Sequence, residues 1–200
     1  MRFVTLVVVG LVLGSLPLAA QDNVPPAWSV RTRGVMTGNS AESDPAGFQM
    51  YSAITLEAAL TRRLGGLLSW ELAVRTESRE VDYQPGTDPA YRQGSLELLP
   101  VSLLLQVRPR MSGRFHAYAG GGLTFTTTWE KSGVLDSMDV ASHLGPAIQL
   151  GLDYDLSAAV LFNLDLRWNG LTTKIENGGV PYTSLKVDPI TIGLGVGFRF

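Results

Sequence analysis

The chain has 200 residues, a formal net charge of −2, 17% charged residues, 22 Gly and no Cys. That length fits one domain preceded by a processed segment, and the near-neutral charge leaves no basic footprint for nucleic acid. Without Cys there are no disulfide staples, thiolate zinc sites, thiol nucleophile or lipid-modified N-terminal Cys.

The first stretch, MRFVTLVVVGLVLGSLPLAAQD, has Arg2 at its start and an apolar run from Phe3 to Leu13. Breakers at Gly14 and Pro17 follow, then the small residues Ala19 and Ala20. This is the layout of a secretory signal peptide. We therefore expect a signal peptide over 1–20 and an exported domain over 21–200. A retained membrane anchor is the alternative, but it has no use for the breakers and the small-residue exit.

From there on, period-two alternation recurs, the mark of a strand with two unlike faces. Trp28, Val30, Thr32 and Met36 oppose Ser29, Arg31 and Arg33 in the first segment. Ile54, Leu56, Ala58 and Leu60 oppose Thr55, Glu57 and Ala59 in the second. Leu68, Trp70, Leu72 and Val74 oppose Ser69, Glu71 and Arg75 in the third. In the fourth, Leu99, Val101, Leu103, Leu105 and Val107 form the outer set, and Leu98, Ser102, Leu104 and Gln106 the inner one. The fifth sets Phe115, Ala117, Ala119, Leu123, Phe125 and Trp129 against His116, Tyr118, Gly120, Thr124 and Thr126. The sixth sets Ile148, Leu150, Leu152 and Tyr154 against Gln149 and Asp153. The seventh sets Val160, Phe162, Leu164, Leu166 and Trp168 against Asn163, Asp165 and Arg167. The last, ITIGLGVGFRF, carries Ile190, Ile192, Leu194, Val196, Phe198 and Phe200 on one parity.

Connections near 61–66, 108–113 and 155–158 are short, whereas those near 37–49, 77–94, 130–145 and 169–184 are long and polar. Strict alternation of short and long is what an up-and-down barrel produces, with short periplasmic turns and long outer loops. A Greek-key sandwich has no reason to sort its loops that way. Trp28, Trp70, Phe115, Trp129 and Trp168 sit on the apolar parity, placed to form belts at the two water interfaces. The expected fold is therefore all-β: an eight-stranded antiparallel up-and-down transmembrane β-barrel. A soluble lipocalin-like barrel would need the two faces exchanged.

On that fold Arg31, Arg33, Glu57, Glu71, Arg75, Leu98, Leu104, Gln106, Asp153, Asp165 and Arg167 line the lumen. Eight strands leave an interior just wide enough for side chains to fill. Two readings stay open: a plug of paired charges, or a solute path lined by some of them. Unpaired buried charge is costly, so partners across the lumen are expected in both.

Catalytic and cofactor signals are weak. His116 lies near a short turn, and His143 is expected in a long loop beside Ser142. Asp153 and Asp155 near a turn are expected to face water. AGGGL lacks the Lys and the helix of a phosphate loop, and DSMD with His143 reads as a solvated loop rather than a cation site. We expect no enzyme, no cofactor and no metal.

Gly195, Phe198 and Phe200 resemble the C-terminal insertion signal of bacterial outer-membrane proteins. More broadly, AWSVRTRGVM, LELLPVSLLLQVRPR with GRFHAYAGGGLTF, and LKVDPITIGLGVGFRF resemble the OmpW family of small outer-membrane barrels. Ile190 stands where that family often has an aromatic after Pro. The resemblance implies an outer-membrane location, outer-membrane lipid and the barrel-assembly machinery as partners, and a narrow conduit for small hydrophobic or amphipathic solutes that leave sideways. The alternative is a sealed structural or adhesive barrel acting through its loops.

Overall fold

The structure, a computed structural model, describes residues 27–38, 48–50, 52–83, 92–133, 139–177, 180–187 and 189–200. The expected signal peptide lies outside them. Among the described residues there is no helix, and the strands run β1 (Trp28–Gly38), β2 (Phe48–Met50), β3 (Ala53–Gly65), β4 (Leu68–Arg75), β5 (Glu77–Tyr83), β6 (Arg92–Val107), β7 (Phe115–Gly133), β8 (Asp139–Val140), β9 (His143–Asp155), β10 (Val160–Asn169), β11 (Leu171–Asn177), β12 (Val180–Val187) and β13 (Ile190–Arg199). Several of these are two parts of one stave interrupted once, as β4 and β5 are at Thr76. Counted by stave, the wall has eight.

Every pairing is antiparallel, and the wall closes because β1 pairs with both β3 and β13 while β6 pairs with both β4 and β7. A closed sheet leaves no edge unpaired, which is what permits backbone in hydrocarbon. The register keeps the sequence parity: Arg31 stands opposite Gly197 and Ala59, Arg33 opposite Gly195 and Glu57. Each apolar parity points outward, with Ile54, Leu103, Ile148, Leu194 and Val196 all more than half exposed. Such a continuous apolar band has no place on a water-soluble monomer. The buried side is polar instead: Arg33, Glu71, Gln106, Gln149, Asp153 and Asn163 have no accessible surface.

Three short connections gather on one rim, together with Trp28 and Phe200, whose backbones exchange hydrogen bonds of 3.1 and 3.0 Å. The β3–β4 turn is shorter than its sequence suggests, because β3 runs on to Gly65, paired with Leu68, and the reversal is left to Gly66 and Leu67, with Gly65 and Gly66 at φ of 108° and 59°. Those values belong to the left-handed region that glycine enters without Cβ strain.

The opposite rim differs more from expectation. The long connections contain strand: β5, the start of β6 and the end of β7 carry the barrel sheet past the apolar band, and β12, β11 and β8 form a second, three-stranded antiparallel sheet. His143, expected in a loop, opens β9. A β-bulge where Glu97 faces Glu130 but Leu98 faces Thr128 leaves Trp129 without a ladder partner. The bulge lets β7 continue upward while Trp129 stays exposed on the outer face.

Candidate functional site

The barrel interior is a single polar network, built by inward residues of seven of the eight staves. Its hub is Glu71 on β4. Arg33 on β1 grips it bidentately, Nη1 donating to Oε1 at 3.0 Å and Nη2 to Oε2 at 2.9 Å. Arg31 Nη1 donates to Oε2 at 3.1 Å, and Arg167 Nη2 approaches Oε1 at 3.4 Å. Gln106 and Gln149 add their amide N–H groups at 3.1 and 2.9 Å. One carboxylate thus sees three guanidiniums, a concentration of charge-assisted bonds that only a dry, fully occupied interior sustains.

Around the hub the charges alternate. Toward the short-turn rim, Asp153 accepts from Arg31 Nη2 at 2.9 Å and from Arg108 Nη1 at 2.7 Å. Toward the other rim, Glu57 takes Arg33 at 2.7 Å and Arg167 at 2.9 Å, with Arg75 at 3.4 Å. Above it Glu77 joins Arg75 at 3.0 Å and also binds Arg79. Asp165 receives the Tyr118 hydroxyl at 2.7 Å and Gln149 Nε2 at 2.6 Å, while Asn163 bridges Arg33 Nε and Asp153 at 2.6 and 2.7 Å.

Glycines provide the space. On the inner face of β13, a Cβ on Gly197 would lie 2.9 Å from Arg31 Cγ and one on Gly193 3.3 Å from Arg33 Cδ. A Cβ on Gly151 would lie 2.0 Å from the Tyr118 ring. The terminal alternation of glycine with bulky residues therefore does two jobs: large groups face outward, and the two arginines of β1 lie against bare backbone.

All eleven residues singled out as lumen-facing lie on this inner face, buried; Leu98 and Leu104 are 6% and 1% exposed within an otherwise polar wall. Asp153, expected to face water, is instead fully buried beneath Arg31 and Arg108. Asp155 is at the rim, 3.0 Å from His116 Nε2. His143 Nε2 lies 3.2 Å from the Gly170 carbonyl oxygen and is partly buried. Sequence reasoning did not single out Tyr118, Gln149, Asn163, Glu77, Arg79 or Arg108. The first three were legible as inward parity, whereas Glu77 and Arg79 were lost in a segment read as loop and Arg108 in a turn. Of the aromatics, Trp28 and Trp70 meet edge to face at 5.7 Å near the short-turn rim, and Phe115 packs on Tyr154 at 4.8 Å; Trp129 and Trp168 lie toward the other rim.

Lipid-facing outside, polar and closed-packed inside, with a sheet closed on itself, the molecule is by construction a membrane-spanning β-barrel of the bacterial outer-membrane type. The OmpW family model matches residues 27–200, and the chain belongs to that family. It is 32% identical over 113 residues to outer membrane protein AlkL of Ectopseudomonas oleovorans, a match covering 54% of this chain and 49% of AlkL. An outer-membrane protein of Sinorhizobium fredii, y4mB, is 34% identical over 114 residues, with the same coverage. The chain thus spans about half the length of the curated relatives it matches. Its fold superimposes on the crystal structure of OprG from Pseudomonas aeruginosa with a TM-score of 0.73 at 22% identity, over 88% of this chain and 97% of OprG.

Proposed function

We propose that this outer-membrane barrel passes small hydrophobic or amphipathic solutes from its outer mouth sideways into the membrane rather than through its length. The observation that carries this reading is a break in the hydrogen-bond ladder of the otherwise closed wall, at the level where the plug ends. The β3–β4 ladder stops at Glu57 opposite Arg75, and the β2–β5 ladder resumes only at Met50 opposite Val81. Between them, among the described residues, no ladder pair joins 53–56 to 77–80, and the side chain of Thr55 donating to the Thr76 carbonyl bridges the seam.

Inside the barrel at that level lies a recess of about 20 Å³, bordered on the seam's β5 side by Glu77 and Arg79 and across the lumen by Leu98, Pro100, Thr126 and Gly170. Below it the packed charges block a straight aqueous path, so a solute entering from the long-loop side meets a polar floor and an unzipped wall. An apolar body is repelled by the first and admitted by the second. The partners on this reading are outer-membrane lipid and, during insertion, assembly machinery engaging Gly195, Phe198 and Phe200 of the final strand.

The chain has no Cys, so the double variant Leu56→Cys/Thr76→Cys, on the outward face one step beyond the Glu57–Arg75 pair, can staple the seam. Uptake of a fluorescent fatty alcohol into liposomes holding the refolded barrel should fall on oxidation and return on reduction, while planar bilayers show no discrete ion openings. Uptake indifferent to the staple sinks the sideways route. The packed interior also favours a second reading, a sealed barrel acting through its loops, for which liposomes with and without the protein take up the probe equally.

A further inference from the structure

The short-turn rim holds a second polar feature that solute passage does not use. A recess of about 10 Å³ opens there, lined by Arg31, Arg63, Arg108 and Arg199 with Ser29 and Thr61. Four guanidiniums meet two carboxylates of their own and a share of a third: Asp153 takes Arg31 and Arg108, Asp155 has Arg199 Nη2 at 2.6 Å from its Oδ1, close but off the axis of a hydrogen bond, and Arg31 also reaches Glu71, which Arg33 and Arg167 share. Among the described residues Arg63 forms no ion pair, and its side chain is exposed at the opening. Arg31, 2% exposed, has a buried Nε without a hydrogen-bond partner. Arg108, in the turn after β6, is held below the usual arginine range by its burial and then by the charge of Arg31, with Asp153 opposing both. Positive charge is in excess where a polar donor is left unsatisfied.

We propose that this recess binds a single oxyanion, a carboxylate or a phosphate, between Arg63 and Arg199 at its mouth and Arg31 and Arg108 at its base. The Ser29 hydroxyl adds a donor, while Thr61 holds Arg31 in place by accepting from it and donating to Glu71, and planar guanidinium forks suit two-oxygen recognition. With short turns facing the periplasm, the ligand arrives either as a free anion or as the headgroup of a lipid in the adjoining leaflet. The inference is independent of the sideways route.

Calorimetric titration of inorganic phosphate into the full chain, refolded in an uncharged maltoside detergent, tests it. We expect one saturable site, weakened about tenfold or more by Arg63→Gln and unaffected by Arg110→Gln, which lies out on the turn. Arg199→Gln is the second variant if the first fails the heat-shift test of folding. A parallel titration with dodecyl phosphate separates the sources: comparable affinity for both probes assigns the site to a free anion, and tighter dodecyl phosphate binding assigns it to a lipid headgroup. Absence of saturable binding by either probe overturns the proposal. So does equal weakening by Arg63→Gln and Arg110→Gln, the signature of diffuse rim charge.

Discussion

At the residue scale, Glu71 shows how a buried charge is kept. It lies on β4, yet its three arginines come from β1 and β10, up to 96 positions away. Glu71→Gln keeps the shape and removes the charge, leaving Arg31, Arg33 and Arg167 short of a counterion in a dry interior. Breaking a buried pair in this way costs about 3–5 kcal/mol. A urea titration of the refolded barrel in liposomes should show a midpoint lowered accordingly, and an unshifted midpoint would mean that water reaches the plug. Parity alone placed Glu71 inward. It did not name the partners, because a strand's period says which face a side chain takes and nothing about which distant stave stands across a lumen. Asp153 illustrates the same limit: its position beside a turn suggested water, and only the inward reach of Arg108 from the next turn over covers it.

At the element scale, β13 is the strand whose glycines matter most. A Cβ on Gly195 would lie 2.1 Å from the Thr32 carbonyl oxygen, against 3.9 Å from the nearest atom for one on Gly34 on the outer face. Gly195→Leu should therefore destabilise the β1–β13 closure by more than the ~1–3 kcal/mol typical of overpacking, whereas Gly34→Ala should be near neutral. The folded, heat-modifiable fraction after refolding without any assembly factor reads both, separating closure from recognition by machinery. Loss of folding in both variants alike would refute the contrast. The staves were legible where one face was apolar. The upper extension β5 was not, since ESREVDY carries charged residues on both parities and so lacks the hydrophobic contrast that alternation needs.

At the scale of the whole molecule, the arrangement is that of a soluble protein turned inside out. Leu194 projects from the middle of β13 and is 53% exposed. Leu194→Arg should cost about 2–4 kcal/mol in a bilayer, where lipid surrounds that position. The same substitution measured in detergent micelles should cost less, because a micelle deforms to water more readily; equal penalties would place Leu194 outside the hydrocarbon band. The outward band and the number of staves follow from period-two alternation and loop lengths, because each is a one-dimensional property of the chain set by which solvent each face meets, whereas the family was legible in the resemblance of particular stretches. What tertiary structure alone decided is the state of the interior. Whether eleven inward side chains make a path or a plug depends on their lengths, on bare glycine backbone opposite the arginines, and on donors and acceptors meeting within hydrogen-bond distance across the lumen. Those are relations between staves, and they exist only once the sheet has closed.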